Sequence, residues 1–304
     1  FRLAGLAITL VGILAVAVLI GLIAGAVDRR LEALRKGRSI VVETGHTLIL
    51  GASGKLPLII KELVDAHTGS GRPCLVILAD REKDELEARL RRILKGTNVR
   101  LVVRRGDPAT VVDLAQGRPE SARNIIILRA DHADADAEVV NIALAVCRVR
   151  QGLPDIPLVA ELQDPDVARG LRHAAPGALL TVVQGEVVSR VAAQCSRAAG
   201  LGVVYQELLD FDGDEIYLAD LPEFLRGAPF AVALQAAQNC TVLGITHPER
   251  GTHLCPSLDT ILLGDDQLVV IAEDGESISF ESQASEPMSL SLIHISEPTR
   301  PERI

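Results

Sequence analysis

The stretch TLILGASGKL, residues 47–56, decides the fold class, because a short aliphatic run passes directly into a glycine-containing turn and then into a helical pattern. From here on, aliphatic and β-branched runs alternate with helical patterns, which is typical of a parallel α/β sheet. The predicted strands are 47–50, 74–79, 99–103, 124–128, 156–161 and 178–183, and the predicted helices are 55–67, 82–95, 108–116, 133–150, 164–174 and 185–199. Six β-α units in a row predict a doubly wound, Rossmann-like sheet over residues 46–200.

The pattern of predicted strands, helices and turns changes after residue 200. Short predicted strands at 215–218, 241–246 and 267–271 are separated by turn signals rich in Asp, Gly and Pro. This pattern indicates a smaller α+β lobe over residues 201–275. Residues 276–304 are rich in Ser, Glu and Pro without a sustained period, so we expect a disordered tail. Its segment SLSLIHISEPTR, residues 289–300, resembles a translated sequencing adaptor. The tail is therefore expected to be either disordered or an artefact.

The N-terminal run LAGLAITLVGILAVAVLIGLIAGAV, residues 3–27, carries no charge. A helix of this length spans the roughly 30 Å hydrocarbon core of a bilayer, whereas the apolar region of a signal peptide is shorter. Basic residues follow it at Arg29, Arg30, Arg35, Lys36 and Arg38. By the positive-inside rule we expect a membrane protein with residues 28–304 in the cytoplasm and a linker at 28–45. Because the chain begins with Phe1, we expect the helix to be the last of several, and a lone anchor remains the alternative.

Composition excludes several classes of function. The net charge is −9, which makes nucleic acid an unsuitable partner. The five cysteines are far apart without a CxxC pair, which fits reduced thiols and neither a disulfide scaffold nor a zinc site. A GxSxG elbow and an HExxH motif are both absent from the sequence, so we predict that the chain is not an enzyme and has no catalytic residues.

A candidate cofactor site is the turn after the first strand. Backbone amides of Gly51, Ser53, Gly54 and Lys55 could cradle an anion, and Asp80 at the end of the second strand could hold a ribose hydroxyl. An intact dinucleotide fingerprint would have glycine at 51, 53 and 56, but serine and leucine occupy the last two positions. Nucleotide binding and a purely structural turn both remain open.

A candidate metal site is the acidic cluster Asp131, Asp134 and Asp136, expected at the carboxyl edge of the sheet. Clustered carboxylates on a turn can supply several of the six to eight oxygens that calcium takes. The alternative is that Asp134 and Asp136 complement a helix dipole.

The sequence resembles the Castor/Pollux ion-channel family over residues 5–275. The matching tracts are LRKGRS at 34–39, GHTLILGAS at 45–53 with Lys55 and Leu56, LADRE at 78–82, SARNIIIL at 121–128 and LVVIAED at 268–274. The resemblance implies a homotetrameric cation channel whose last pore helix runs into a cytoplasmic RCK domain, a regulator of potassium conductance. The earlier membrane helices, the selectivity filter and a second RCK domain are not in this sequence.

The resulting functional hypothesis is the regulatory portion of a ligand-gated cation channel, in which ligand binding to an RCK ring moves the last pore helix. The resemblance favours calcium as the ligand, and the fold alone favours a nucleotide. Two alternatives are a membrane-tethered NAD-dependent oxidoreductase and the nucleotide-sensing subunit of a potassium uptake system. The altered glycine turn disfavours the first, and the apolar run at 3–27 disfavours the second.

Overall fold

The computed structural model describes residues 12, 16–24, 39–66, 72–175, 179–198, 200–209, 211 and 213–282. It divides the chain into two units, Phe1–Gln206 and Glu207–Ile304. Most of the predicted membrane helix at 3–27 and most of the predicted tail lie outside the described residues. Within the described ranges, no helix combines the length and the apolar character needed to cross a membrane.

The first unit is built on one six-stranded parallel sheet. Its strands are β1 (Thr47–Leu50), β2 (Cys74–Ala79), β3 (Arg100–Arg105), β4 (Asn124–Ile127), β5 (Leu158–Leu162) and β6 (Leu179–Val183). The order in the sheet is β3-β2-β1-β4-β5-β6, and every pairing is parallel. The strand order reverses between β1 and β4, which is the arrangement of a doubly wound Rossmann sheet. The predicted fold of this unit is therefore confirmed.

Helices cover the sheet and connect its strands. They are α1 (Leu56–Asp65), α2 (Lys83–Ile93), α3 (Val111–Leu114), α4 (Ala135–Val149), α5 (Pro165–Ala174) and α6 (Gln184–Arg197). Successive strand residues point to opposite faces, so Leu48 and Leu50 join one buried apolar cluster and Ile49 joins another. Helix α5 begins as its sequence indicates, because the Asp164 carboxylate accepts a hydrogen bond from the Asp166 amide and Pro165 occupies the first turn.

Some element boundaries differ from the sequence-based prediction. Strand β3 begins one residue later than expected and ends two residues later, because its pairing with β2 continues through Arg105. A further helix, α7 (Leu201–Leu209), follows α6 where the sequence analysis places the start of the second lobe. Short 3-10 turns at Ala115–Gly117 and Pro119–Ser121 precede β4.

The second unit contains an antiparallel sheet. Its elements are β7 (Glu215–Asp220), α8 (Phe230–Ala236), β8 (Ala237–Gln238), β9 (Thr241–His247), β10 (Gly251–Leu254), β11 (Gln267–Ala272) and β12 (Ser279–Phe280). Four strands form the order β10-β9-β11-β7, while β8 and β12 pair with each other. Disorder was expected from residue 276, but a 3-10 turn at Gly275–Ser277 and strand β12 extend regular structure to Phe280. The pairing of Phe280 with Ala237 explains this extension.

Candidate functional site

The turn after β1 lies against the end of β4 at the carboxyl edge of the sheet. Gly51 has φ +90°, and a Cβ atom there would stand 2.7 Å from the carbonyl oxygen of Leu128. The Gly51 amide also donates to the Leu78 carbonyl oxygen at 2.9 Å. Glycine is therefore required at position 51 for close backbone approach, whether or not a cofactor binds.

The backbone amide at the start of α1 already has an anionic partner. The Gly54 amide donates to Asp131 Oδ2 at 2.9 Å, and the Lys55 amide donates to Ser53 Oγ at 3.3 Å. This amide position is where a Rossmann helix receives a phosphate. A carboxylate from the loop after β4 occupies it here, which sequence spacing could not reveal because the two residues are 77 positions apart.

The side chain of Lys55 points from the turn after β1 towards the ends of β5 and β6. Its amine forms an ion pair with Glu161 and donates to Gln184 Oε1 at 2.9 Å. The second oxygen of Glu161 accepts from the Arg129 amide at 3.3 Å. Lys55 thus ties together the ends of β1, β5 and β6, and its charge is balanced within the chain.

Asp136 is the centre of a second polar network. Its carboxylate accepts from Arg129 Nε at 2.6 Å, from the Gln163 amide at 3.1 Å and from the Asp164 amide at 2.8 Å. Burial by itself raises the pKa of this carboxyl, but the hydrogen bonds from Asp164, Arg129 and Gln163 outweigh it and lower the pKa overall. The Asp136 side chain is 14% exposed and that of Arg129 is 12% exposed, so the pair is well shielded from water.

The three carboxylates of the predicted metal site have separate surroundings. Asp131 binds the Gly54 amide, Asp136 binds Arg129, and Asp134 is exposed at the start of α4 without a capping hydrogen bond from its side chain. Among the described residues, no three His, Cys, Asp or Glu side chains are grouped so that they could hold a metal ion. The structure thus gives Asp131 and Asp136 roles in fixing loops, and a calcium ion would have to compete with those bonds.

A cleft of about 490 Å³ opens beside this network, between the ends of β1, β2, β3 and β4. Its apolar wall is formed by Ala52, Ala79, Leu128, Ala135, Val139 and Ile142. Its polar wall is formed by Asp80, Arg81, Asp107, His132, Glu138 and Asn141. Gly51 and Asp80 both line this cleft, whereas Ser53 and Gly54 line a smaller neighbour of about 300 Å³. The Asp80 side chain is 75% exposed and lies 3.6 Å from Arg105 Nε.

The opposite, amino edge of the sheet carries a feature that sequence reasoning missed. Residues 39–46, here called the strap, were expected to belong almost entirely to the linker at 28–45. The Val41 amide donates to the Gln116 carbonyl oxygen at 2.9 Å, and the Gly45 amide donates to that of Ser121 at 2.8 Å. Val41 is only 1% exposed and joins an apolar core cluster. The strap is therefore part of the lobe, and the aliphatic run at 40–42 was a signal for it in the sequence.

His46 is the last residue of the strap. Its Nε2 lies 2.9 Å from the Gly117 carbonyl oxygen, which can only accept, so Nε2 carries the proton. Nδ1 has no hydrogen-bond partner among the described residues, and burial lowers the pKa of the ring. His46 is thus a structural histidine that anchors the strap to Gly117.

Comparison with known proteins gives one consistent result. A family model described as "Castor and Pollux, part of voltage-gated ion channel" matches residues 185–287. The probable ion channel POLLUX of Arabidopsis thaliana is 33% identical over 282 residues, covering 91% of this chain and 34% of that protein. The ion channel DMI1 of Medicago truncatula is 32% identical over 283 residues, covering 91% and 32%.

Among solved structures, the human SLO3 gating ring matches with a TM-score of 0.59 and 13% identity, covering 79% of this chain and 49% of that one. The fold is therefore that of the lobes found in a channel gating ring. The relatives are named as ion channels and not as enzymes, in agreement with the prediction from sequence. The resemblance to the Castor/Pollux ion-channel family is confirmed, and the chain spans about a third of the length of these relatives.

Proposed function

We propose that this chain is the regulatory portion of a ligand-gated cation channel, in which ligand binding to cytoplasmic RCK lobes changes the state of a pore. The observation that carries the proposal is the relation to named ion channels along 91% of the chain. The likeness of the fold to a gating ring agrees with it. In this proposal the segment 3–27 is the last pore helix, residues 28–304 are cytoplasmic, and four copies assemble through pore helices and a ring of lobes.

The strap supplies the mechanical coupling in this proposal. It is held to the segment before β4 by backbone hydrogen bonds at Val41, Gly45 and His46, and by burial of the Val41 side chain. A lobe that rotates must therefore carry residue 41 with it. A movement of the lobe would therefore be passed on in full to the segment before the strap. A connection between a regulatory lobe and a pore requires this.

The ligand site in this proposal lies at the carboxyl edge of the sheet. The residues that would respond to a nucleotide are Gly51, Ser53, Gly54, Lys55 and Asp80, and those that would respond to calcium are Asp131, Asp134 and Asp136. Open clefts next to the turn after β1 support the first set. The second set rests on the acidic composition of one loop and on the family resemblance. In either case a ligand acts by favouring one arrangement of the loops over another.

The experiment that tests the proposed function is a chimeric channel. Residues 39–282 of this chain replace the matched segment of the Medicago truncatula ion channel, and currents are recorded in planar bilayers with 0 to 1 mM calcium or nucleotide on the lobe side. We expect currents that depend on one of these ligands. A Val41→Asp variant should keep ligand binding and lose this dependence, because a charge cannot occupy the buried position of Val41 and the strap should detach.

The control is Val42→Asp, since Val42 is 82% exposed. This variant should gate like the unmodified chimera. Open-channel currents that ignore both ligands in the unmodified chimera would overturn the proposed function, as would unaltered gating by Val41→Asp.

A further inference from the structure

The connections at the amino edge of the parallel sheet are basic. They are the strap and the segments that lead from helices α1 to α5 into the next strand. In the described part of these connections, the basic residues are Arg72, Lys95, Arg118, Arg123 and Arg150. The acidic residues are Glu43, Glu120 and Asp155. This edge is therefore positive, although the net charge of the whole chain is −9.

The connections at the carboxyl edge, which lead from each strand into the next helix, have the opposite charge. Their acidic residues are Asp80, Glu82, Asp107, Asp131, Asp134 and Asp164. Their basic residues are Lys55, Arg81 and Arg129. The first unit thus has a basic edge and an acidic edge at opposite ends of its strands. An anionic surface would attract the first edge and repel the second, so this separation of charge would orient the lobe.

Much of the positive charge at the amino edge is not balanced within the part of the chain that the structure describes. Arg72, Lys95 and Arg123 are exposed and form no ion pair there. Arg150 donates to two backbone carbonyl groups, which leave its charge in place. Two of the three carboxylates at this edge are already used, in the pairs Arg100 with Glu43 and Arg118 with Glu120. The third, Asp155, cannot balance four cations.

Stabilisation of helix ends does not account for these charges. Arg92 lies in the last turn of α2 and Arg148 in that of α4, where a cation interacts favourably with the helix dipole. Arg123, in contrast, directly precedes β4, and Arg72 lies two residues before β2. Neither belongs to the last turn of an α-helix, so their guanidinium groups are available to an external anion.

The strap indicates which anionic surface is within reach. It continues from residue 39 into the segment 28–38, whose basic residues are Arg29, Arg30, Arg35, Lys36 and Arg38. With residues 3–27 in the membrane, as in the proposed function, this segment enters the lobe at its basic edge. The cytoplasmic leaflet carries anionic lipids and attracts basic residues that lie within about 10 Å of it.

We propose that the amino edge of the sheet is a docking surface for the anionic cytoplasmic leaflet, and that Arg72 and Arg123 contact its lipid phosphate groups. Arginine suits this contact because its planar guanidinium can donate two hydrogen bonds to one phosphate. The acidic edge then faces away from the membrane, and its clefts stay open to the cytoplasm. The inference rests on the membrane placement in the proposed function, but not on ligand gating.

The test is hydrogen exchange, measured by mass spectrometry, on the full 304-residue chain in lipid nanodiscs. The discs contain phosphatidylcholine either alone or with 30% phosphatidylserine, in 50 mM NaCl. We expect the amides of residues 94–99 and 118–123 to exchange at least 5-fold more slowly in the anionic discs, while those of residues 80–82 and 106–110 stay within 2-fold. In 500 mM NaCl the protection should disappear, because salt screens the attraction.

Variants then assign the protection to the amino edge. The double variant Arg72→Gln and Arg123→Gln should lose it, and Arg72→Lys with Arg123→Lys should retain most of it because the charge is kept. The matched control is Arg81→Gln with Arg89→Gln, which removes the same charge from exposed residues that line a cleft at the carboxyl edge. This control should keep the protection. Equal loss in the two glutamine variants would contradict the role of the amino edge.

The outcomes separate this proposal from the proposed function. Equal exchange in neutral and anionic discs would overturn the docking surface and leave the proposed function standing. A chain that does not enter the discs would overturn the membrane placement and the docking surface together. A chimera without ligand-dependent current, alongside protection in anionic discs, would overturn only the ligand gating.

Discussion

The two edges of the parallel sheet are held together by different forces. At the amino edge, the strap is fixed by backbone hydrogen bonds to residues 116–123 and by one buried valine, and in addition Arg100 pairs with the Glu43 carboxylate and Arg104 donates to the Ser39 carbonyl oxygen. At the carboxyl edge, the loops after β1, β4 and β5 are fixed by charged side chains, chiefly Lys55 with Glu161 and Arg129 with Asp136. Backbone bonds and apolar contacts are insensitive to salt and ligand charge, whereas ion pairs can be rearranged by both. The attachment of the strap thus depends less on charge than the loop network at the carboxyl edge.

The largest expected effect tests the electrostatic edge. Asp136→Ala removes the acceptor of two backbone amides and the only carboxylate paired with Arg129 among the described residues, leaving a shielded guanidinium that is bound only to backbone carbonyls. We expect a loss of about 3 kcal/mol in the free energy of unfolding, measured by urea titration. Asp134→Ala, at the exposed start of α4, should change it by less than about 0.5 kcal/mol. Equal effects of the two substitutions would show that the network contributes no stability.

The next prediction concerns the closest backbone approach at the same edge. Gly51→Ala should cost about 2 to 3 kcal/mol of unfolding free energy, because its Cβ would meet the Leu128 carbonyl oxygen at 2.7 Å in a backbone with positive φ. Gly96→Ala is the matched control, since Gly96 has φ +95° with open space around it. That substitution should cost only about 1 kcal/mol. Similar losses at both positions would mean that the contact with β4 relaxes freely.

A smaller effect is expected at the apolar edge. Val41→Ala removes two buried methyl groups, so the free energy of unfolding should fall by about 1.5 kcal/mol, independently of salt concentration. Val42→Ala, on the exposed side of the strap, should be neutral. A salt-dependent loss at Val41, determined by urea titration in low and high NaCl, would contradict the division between the two edges.

The smallest effect is a dependence on pH from His46. Burial lowers the pKa of this ring in the folded state, so the unfolded chain takes up a proton first as the pH falls below the ordinary value of 6.5. This histidine therefore makes the folded state less stable as the pH drops from 6.5 towards the lowered pKa, below which its contribution is constant.

We expect the urea midpoint to drop less between pH 7.5 and 5.5 in His46→Gln than in the unmodified chain. His173→Gln, at an exposed position, is the matched control. A larger drop in His46→Gln would mean that His46 binds its proton more readily in the folded state.

Sequence patterns predict the sheet well because β1 and β2 are buried on both faces and read as uninterrupted aliphatic runs. The bounds of these two strands agree with the prediction at every residue. Helix α7 was missed because Gly202, Val203 and Val204 at its start have low helix propensity and no acidic residue lies in its first turn.

The candidate site was predictable only in part. The sequence identifies the turn at Gly51 and the loop at Asp131 as separate features, one for an anion and one for a cation. Their contact depends on the adjacency of β1 and β4 in the sheet, which brings together residues 77 positions apart. Neither motif carries the information that Asp131 accepts the hydrogen bond of the Gly54 amide.

The docked strap also fixes how much slack lies between the lobe and the predicted membrane segment. If the lobe began at residue 46, eighteen residues (28–45) would be free to stretch, with a maximal reach of about 60 Å at roughly 3.3 Å per residue. With the chain held from residue 39, eleven residues (28–38) remain, and the maximal reach falls to about 36 Å. Under the proposed function, a shorter tether would convert a given rotation of the lobe into a larger tension on the predicted membrane segment.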